Sequence, residues 1–178
     1  MAITMNLTDG QRAERKTLIT VAEWTEAGSQ TPKREIIGVR TEDSSIELNA
    51  DIATSTDILG INYTDVNRTQ PQQSFDPHFV IGGSDLDTYL VTNMLKNNIT
   101  AYANVFNVYI ITAFITDGTA TTSDGKYYAV KHTGCSIIPT AIGGDAYVSM
   151  PIEVHFSNNI TEGTVDKLSD DFTFTPAA

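Results

Sequence analysis

The chain has 178 residues, 40% of them hydrophobic, and a formal net charge of −11 from 22 acidic and 11 basic side chains. That length and apolar content suffice for one domain with a sizeable core. The acidic balance argues against binding nucleic acid through phosphate contacts, which need a basic surface. The single cysteine, Cys135, excludes an intrachain disulfide; with Ile137 and Ile138 close by it reads as a small core residue.

Residues 1–16 are polar and mixed, with Gly10 breaking any early element, and read as an arm that orders against a partner. No basic segment leads into an apolar core there, so the expectation is a protein without a signal peptide, made in a cytoplasm. Residues 17–24 are rich in β-formers and predict the first strand. A turn at 28–32 and a partner strand at 35–40 complete a hairpin. Ile46, Glu47, Leu48 and Asn49 alternate and begin another strand. Residues 50–57 carry no pattern that would fix them in a core, so the span 41–57 reads as a long polar loop of the kind that meets a partner. Its contact candidates are Thr41, Ala50, Asp51, Ile52, Thr54, Thr56 and Asp57. A strand resumes at 58–66, with Gly60 marking a bulge or close approach, and 70–75 is expected to pair with it.

Residues 84–97 are the one convincing helix. Ser84 caps the first turn, and Asp87 is placed to reach back to the cap's own backbone N–H. Asp85 and Asp87 sit at the positive end of the dipole, and Lys96 at the other. Leu86, Tyr89, Leu90 and Met94, with Leu95 at the margin, form the packing stripe. Asn97 and Asn98 tolerate the left-handed conformation and end the helix. Such a stripe needs a sheet to cover it.

Residues 102–115 are densely apolar and predict a strand covered on both faces; the run is too short to cross a membrane as a helix. A loop at 116–125, with Asp117-Gly118 and Asp124-Gly125, leads to strands at 126–132 and 134–138. After a turn at Gly143-Gly144-Asp145, residues 146–156 alternate cleanly: Val148, Met150, Ile152, Val154 and Phe156 face one way, and Pro151 marks an edge or bulge. Residues 161–168 and 172–176 close the fold, and 170–178 read as a polar tail. The expected architecture is a single mainly β domain, a β-sandwich or barrel flanked by one α-helix.

Chemistry is sparse. His78, His132 and His155 lack metal-ligand spacing and read as surface or strand-face residues. Glu42-Asp43 lacks the spacing of a calcium loop, and the acids beside Gly82-Gly83-Ser84 compete with any anion there. The Asn-x-Thr triplets at Asn6, Asn62, Asn67, Asn98 and Asn159 follow from composition. No nucleophile sits in a recognisable elbow. The expectation is no enzyme, no metal and no cofactor, and a subunit whose function is assembly.

Ile46-Glu47-Leu48-Asn49-Ala50-Asp51, then Ile58-Leu59-Gly60, then Gln70 through Asp76-Pro77 resemble the progression that precedes the helix in the major tail (tail tube) proteins of long-tailed bacteriophages. Cys135, the run Pro151-Ile152-Glu153-Val154-His155-Phe156 and Gly163-Thr164-Val165 resemble that family's closing hairpin. The resemblance covers most of 36–174; residues 1–35 carry no signature of it. It implies a tail-tube β-sandwich that forms hexameric rings, stacked into a hollow conduit for DNA delivery, with neighbouring subunits' strands joined around the lumen. It further implies tail-tip, tape-measure and tail-terminator partners, DNA passing without specific binding, no membrane, and a place in the virion tail after assembly in the host bacterial cytoplasm. Tail-like bacteriocins and secretion tubes fall within the same reading. The lumen candidates are Asn62, Thr64, Gln72 and Ser74, whose small uncharged side chains would hold DNA weakly. A reading of a different class is a secreted or surface carbohydrate-binding or adhesin β-sandwich, with Trp24 and the seven tyrosines stacking on sugars. A third, a hydrolase with a dispersed site, has no nucleophile–base motif behind it.

Overall fold

The computed structural model describes residues 4–41, 44–116 and 125–177. Its strands are β1 (Thr4–Met5), β2 (Leu18–Trp24), β3 (Lys33–Ile37), β4 (Ile46–Glu47), β5 (Asp51–Thr56), β6 (Asn62–Arg68), β7 (Gln72–Phe75), β8 (Phe106–Thr112), β9 (Ile115–Thr116), β10 (Tyr127–Pro139), β11 (Ile152–His155), β12 (Ile160–Val165) and β13 (Phe174–Pro176). One helix, α1 (Asp85–Leu95), lies between β7 and β8. Among the described residues the main sheet runs β3-β2-β8-β10-β11-β7-β4, with β12 and β13 continuing from β10; β1-β9 and β5-β6 are separate pairs. The architecture is a mainly β, curled sheet with one helix, as the sequence predicts. Glu42, Asp43 and the turn at Asp117-Gly118 lie outside the described residues.

The curl comes from β10. Its first half pairs with β8 and β12, its second half with β11, and the register shifts between Thr133 and Cys135. Gly134 sits at that shift with φ +80°, a conformation that L side chains avoid. The strands expected at 126–132 and 134–138 are therefore one strand with a bulge. Bending there wraps β11, β7 and β4 back over β2 and β8.

Alternate residues on β2 and β8 serve two cores. Ala22, Trp24, Phe106 and Val108 face β11, β7 and the helix, joining Phe75, Ile137, Ile152 and Val154. Val21, Tyr109 and Ile111 face the other way and meet Ala129, Val165 and Phe172. Double burial explains the unbroken apolar run in β8.

Helix α1 covers the first core with Leu86 and Leu90 fully buried and Tyr89 and Met94 alongside. Tyr89 stands edge-on to Phe106 at 6.0 Å and tilts against Trp24, also at 6.0 Å. Leu95 is exposed, outside the stripe. Ser84 caps as expected, its Oγ accepting from Asp87 N at 2.9 Å. The reciprocal half of the capping box does not form. Asp87 instead accepts from Ile81 N at 2.8 Å and pairs with His78 Nε2 at 2.7 Å. Glu35 of β3 takes over at the helix start, accepting from Leu86 N at 2.8 Å, and Lys33 bridges to Asp85 at 3.0 Å. Asn97 takes φ +51° and ends the helix. Leu90→Ala empties a fully buried site and should cost about 2–5 kcal/mol, read as a lowered midpoint in urea.

Four further expectations change. Residues 51–56, read as loop, are a strand. β6 and β7, expected to pair with each other, pair instead with β5 and with β4 and β11. The alternation over 146–156 is a strand only from Ile152; before Pro151, Ser149 makes isolated bridges to Phe79 and Gly143, and Val148 is exposed. Both arms are partly anchored on their own chain. Asn6 N donates to Phe114 O at 2.9 Å beside the β1–β9 pair, while β13 pairs with β12 and Phe172 is buried against Tyr109.

Candidate assembly surface

Strands β5 and β6 form a ribbon that pairs with no other described strand. Thr, Ile, Tyr and Val suit extended backbone, and no described position on the ribbon is buried, so nothing imposes an apolar–polar alternation. Cross-strand partners share a face: Ile52 with Val66, Thr54 with Thr64 and Thr56 with Asn62 on one, Ala53 with Asp65 and Ser55 with Tyr63 on the other.

The turn at the tip is well made. Gly60 N donates to Asp57 O at 3.1 Å, and Gly60 takes φ +77°. The Asp57 carboxylate accepts from Leu59 N at 2.8 Å and Ile61 N at 2.9 Å, and Tyr63 donates its hydroxyl to it at 3.2 Å. The hydrogen bond from Ile61 is the main reason this carboxyl lies below the usual range. A turn this well tied presents Ile58, 102% exposed, and Leu59, 78% exposed, to solvent. Ile52, Ile61, Tyr63 and Val66 are exposed along the ribbon as well. A two-stranded hairpin alone is marginal in water, and bared apolar groups in one place mark a contact surface.

At the ribbon's base Gln70 N donates to Leu48 O at 3.0 Å. At the other end of the β4–β7 pair lies a cleft of about 330 Å³ with apolar walls from Leu18, Ile36, Val39 and Phe75, also lined by the exposed Arg15 and Lys16.

The structure gathers most of the expected contact residues and disperses the rest. Asp51, Ile52, Thr54, Thr56 and Asp57 lie on the ribbon, with Ala50 exposed at its base. Thr41 does not; it is half-buried against the body and donates to Pro77 O at 3.2 Å. Of the lumen candidates, Asn62 and Thr64 are on the ribbon, where Thr56 Oγ1 meets Asn62 Oδ1 at 2.6 Å. Gln72 and Ser74 are on β7 in the main sheet, opposite in sense to buried Gln73 and Phe75. The helix packing residues Leu86, Tyr89, Leu90 and Met94 stand where expected. Ile58, Leu59, Tyr63 and Val66 were not among the contact candidates; an apolar pair in an Asp-x-x-Gly turn is the signal for them.

Polar chemistry inside the body is structural. Glu23, buried, accepts from Arg34 Nε at 2.5 Å, from Asn107 Nδ2 at 2.8 Å and from the Tyr109 hydroxyl at 3.2 Å. Burial pushes its carboxyl up, but the hydrogen bonds from Asn107 and Arg34 and the charges of Arg34 and Lys131 bring it below the ordinary range. Burial and that negative neighbour push Tyr109 up to about 12. Arg34 is stacked over Phe172 at 4.7 Å and Tyr109 at 5.5 Å. Of the histidines expected on the surface or on strand faces, His132 is on β10 but buried, with Nδ1 2.9 Å from Ser157 O, and His78 is on no strand and is buried against Asp87. Cys135 is buried as expected, and that burial raises its thiol pKa. Among the described residues no group of His, Cys, Asp and Glu is arranged to hold a metal ion. No described helix is long and apolar enough to cross a membrane.

The sequence matches no family model and no curated protein sequence. Solved structures share its fold class, a curled β-sheet carrying one helix. A chain of the anti-feeding prophage (AFP) baseplate, seen by cryo-electron microscopy with six-fold symmetry, is 12% identical over 88% of this chain and 97% of its own, with a TM-score of 0.50. A chain from the PVC extracellular contractile injection system, in its sheath–tube complex in the extended state, is 11% identical over 86% and 93%, with a TM-score of 0.47. One from the sheath/tube terminator of that system is 12% identical over 87% and 99%, with a TM-score of 0.47. At these identities the likeness is one of fold.

Proposed function

We propose that this chain is a structural subunit of the tube of a tail-like injection apparatus, a long-tailed phage tail or a related contractile device. Copies join head to tail in hexameric rings, and the rings stack around a channel that delivers DNA. The observation that carries this reading is the β5–β6 ribbon, which projects Ile58 and Leu59 into solvent and packs into neither core of its own chain. Only burial on another molecule offsets that exposure, at about 1.5–3 kcal/mol for each large side chain covered. The fold likeness to the AFP baseplate chain, from a six-fold assembly, supports the same reading. Tail-tip, tape-measure and terminator proteins are the further partners it implies. The net charge of −11, repeated around a channel, would repel the phosphates of passing DNA.

Native mass spectrometry of the purified protein tests the ring: masses in multiples of six subunits are expected, and monomer at every concentration contradicts it. Asn62, Thr64, Gln72 and Ser74 remain the candidates for the channel wall. Changing Gln72 and Ser74, which lie on β7 outside the ribbon, to lysine should leave tubes intact and slow DNA delivery in a salt-dependent way; unimpaired infection by such particles would place the channel on other strands. The carbohydrate-binding reading keeps the exposed Tyr63 and Tyr147 but loses other rings it invoked. Trp24 is 1% exposed inside the first core, and Tyr102, Tyr109 and Tyr128 are buried too, so none of these rings can stack on a sugar.

A further inference from the structure

We propose that the hairpin tip, Ile58 and Leu59, seats in the cleft between β3 and β7 of a second copy of this chain. This rests on the reading of the ribbon as an assembly arm, and it names the surface that receives the arm. Three observations converge on that pairing.

The shapes and chemistry match. The tip offers two fully presented branched aliphatic side chains on a turn tied down by Asp57. The cleft, about 330 Å³, offers walls of Leu18, Ile36, Val39 and Phe75. Gly38 opens its floor: at φ +93°, a Cβ there would stand 2.9 Å from Phe75 Cε1. Val39, half exposed at the rim, is the apolar surface still uncovered.

The charges match as well. The ribbon carries Asp51, Asp57 and Asp65 against one basic residue, Arg68, in its sequence, and the cleft is lined by Arg15 and Lys16. The Arg15 guanidinium is held by the carbonyls of Leu18 and Ser44, and among the described residues it pairs with no carboxylate. Among the described residues Lys16 pairs with the exposed Glu14 alone, a pair worth little in water.

The ribbon's own cleft is out of reach. Ser44 and Phe75, which line the cleft, lie at the end of the β4–β7 pair away from the ribbon, and six extended residues carry the tip about 20 Å beyond the ribbon's base. A tip that fits a cleft elsewhere on an identical molecule makes a head-to-tail contact, which closes into a ring or runs on as a filament.

Cysteine cross-linking of the full chain tests this. Leu59→Cys and Val39→Cys both alter exposed positions, and Cys135 is buried and silent. A disulfide needs Cα atoms within about 4.4–6.8 Å, so it reports contact rather than proximity. Mixing the two variants under mild oxidation should give cross-linked heterodimer about tenfold above a mixture of Val39→Cys with Thr54→Cys, a control in the middle of the ribbon. The chain carrying both Leu59→Cys and Val39→Cys should give a ladder of intermolecular products. No enrichment over the control, or closure of the double variant within one chain, overturns the proposal. Tubes from the wild-type chain, with no enrichment of the link between the two variants, would sink the cleft as the receptor and leave the tube reading standing. The link in a protein that never forms rings would do the reverse.

Discussion

Replacing residues 50–68 by two glycines is expected to leave a folded monomer that no longer assembles. The ribbon's backbone pairing is internal to it, and no described ribbon side chain belongs to either core. Leu48 and Gln70 are already hydrogen-bonded at its base, so a short linker can close the gap without moving β4 or β7. The whole ribbon is the unit to remove, because deleting 50–56 alone would leave β6 with no partner strand. Thermal midpoint and near-ultraviolet dichroism should stay close to wild type. Losing several apolar contacts of about 1.5–3 kcal/mol each should weaken association more than a hundredfold, read by sedimentation. Tubes formed normally by the shortened chain would take the ribbon out of the assembly mechanism.

Glu23→Ala is expected to be among the most damaging single changes in the body. It leaves Arg34, 27% exposed at its side chain, and Lys131, 24% exposed, without their shared counter-charge, and it strands the Tyr109 hydroxyl and the Asn107 amide. Removing one partner of a buried ionic cluster costs about 3–5 kcal/mol. For a chain of this length that lowers the thermal midpoint by roughly 10 °C. Glu23→Gln, which keeps shape and one acceptor, should cost less. The same residue shapes the acid limb. Its folded pKa lies below its ordinary 4.5, and that of Asp87 below its ordinary 3.8. Both bind a proton more weakly folded than unfolded, so their stabilisation is complete above pH 4.5 and is lost as pH falls through the folded values. Glu23→Gln should flatten stability against pH over that window; an unchanged acid limb would show that the cluster does not govern it.

The helix was legible because its signals are local: a cap, a stripe at helical spacing and two asparagines to stop it. Double burial of β8 was legible from its unbroken apolar run. What failed depended on distant partners. Residues 50–57 contain one large aliphatic side chain, Ile52, and a strand with no buried face has no alternation to read. Gly134 looked like a break between strands, although a bulge needs the same residue. The alternation over 146–156 overran its strand because Pro151 and the Ser149 bridges, not side-chain pattern, set where pairing begins. His78 was invisible as a buried residue because its burial depends on Asp87, committed by sequence to the helix cap. The Phe172 and Phe174 pair did carry a strand-like spacing inside an otherwise polar tail. Its burial follows from the Arg34 and Tyr109 surface that receives it.

Cryo-electron microscopy of particles assembled from the purified chain measures the main point directly. The expected map shows six-fold rings in which each β5–β6 ribbon lies on the body of a neighbouring copy with Ile58 and Leu59 out of solvent. Rings in which every ribbon stays in solvent, or a protein that remains monomeric at every concentration reached, would contradict it.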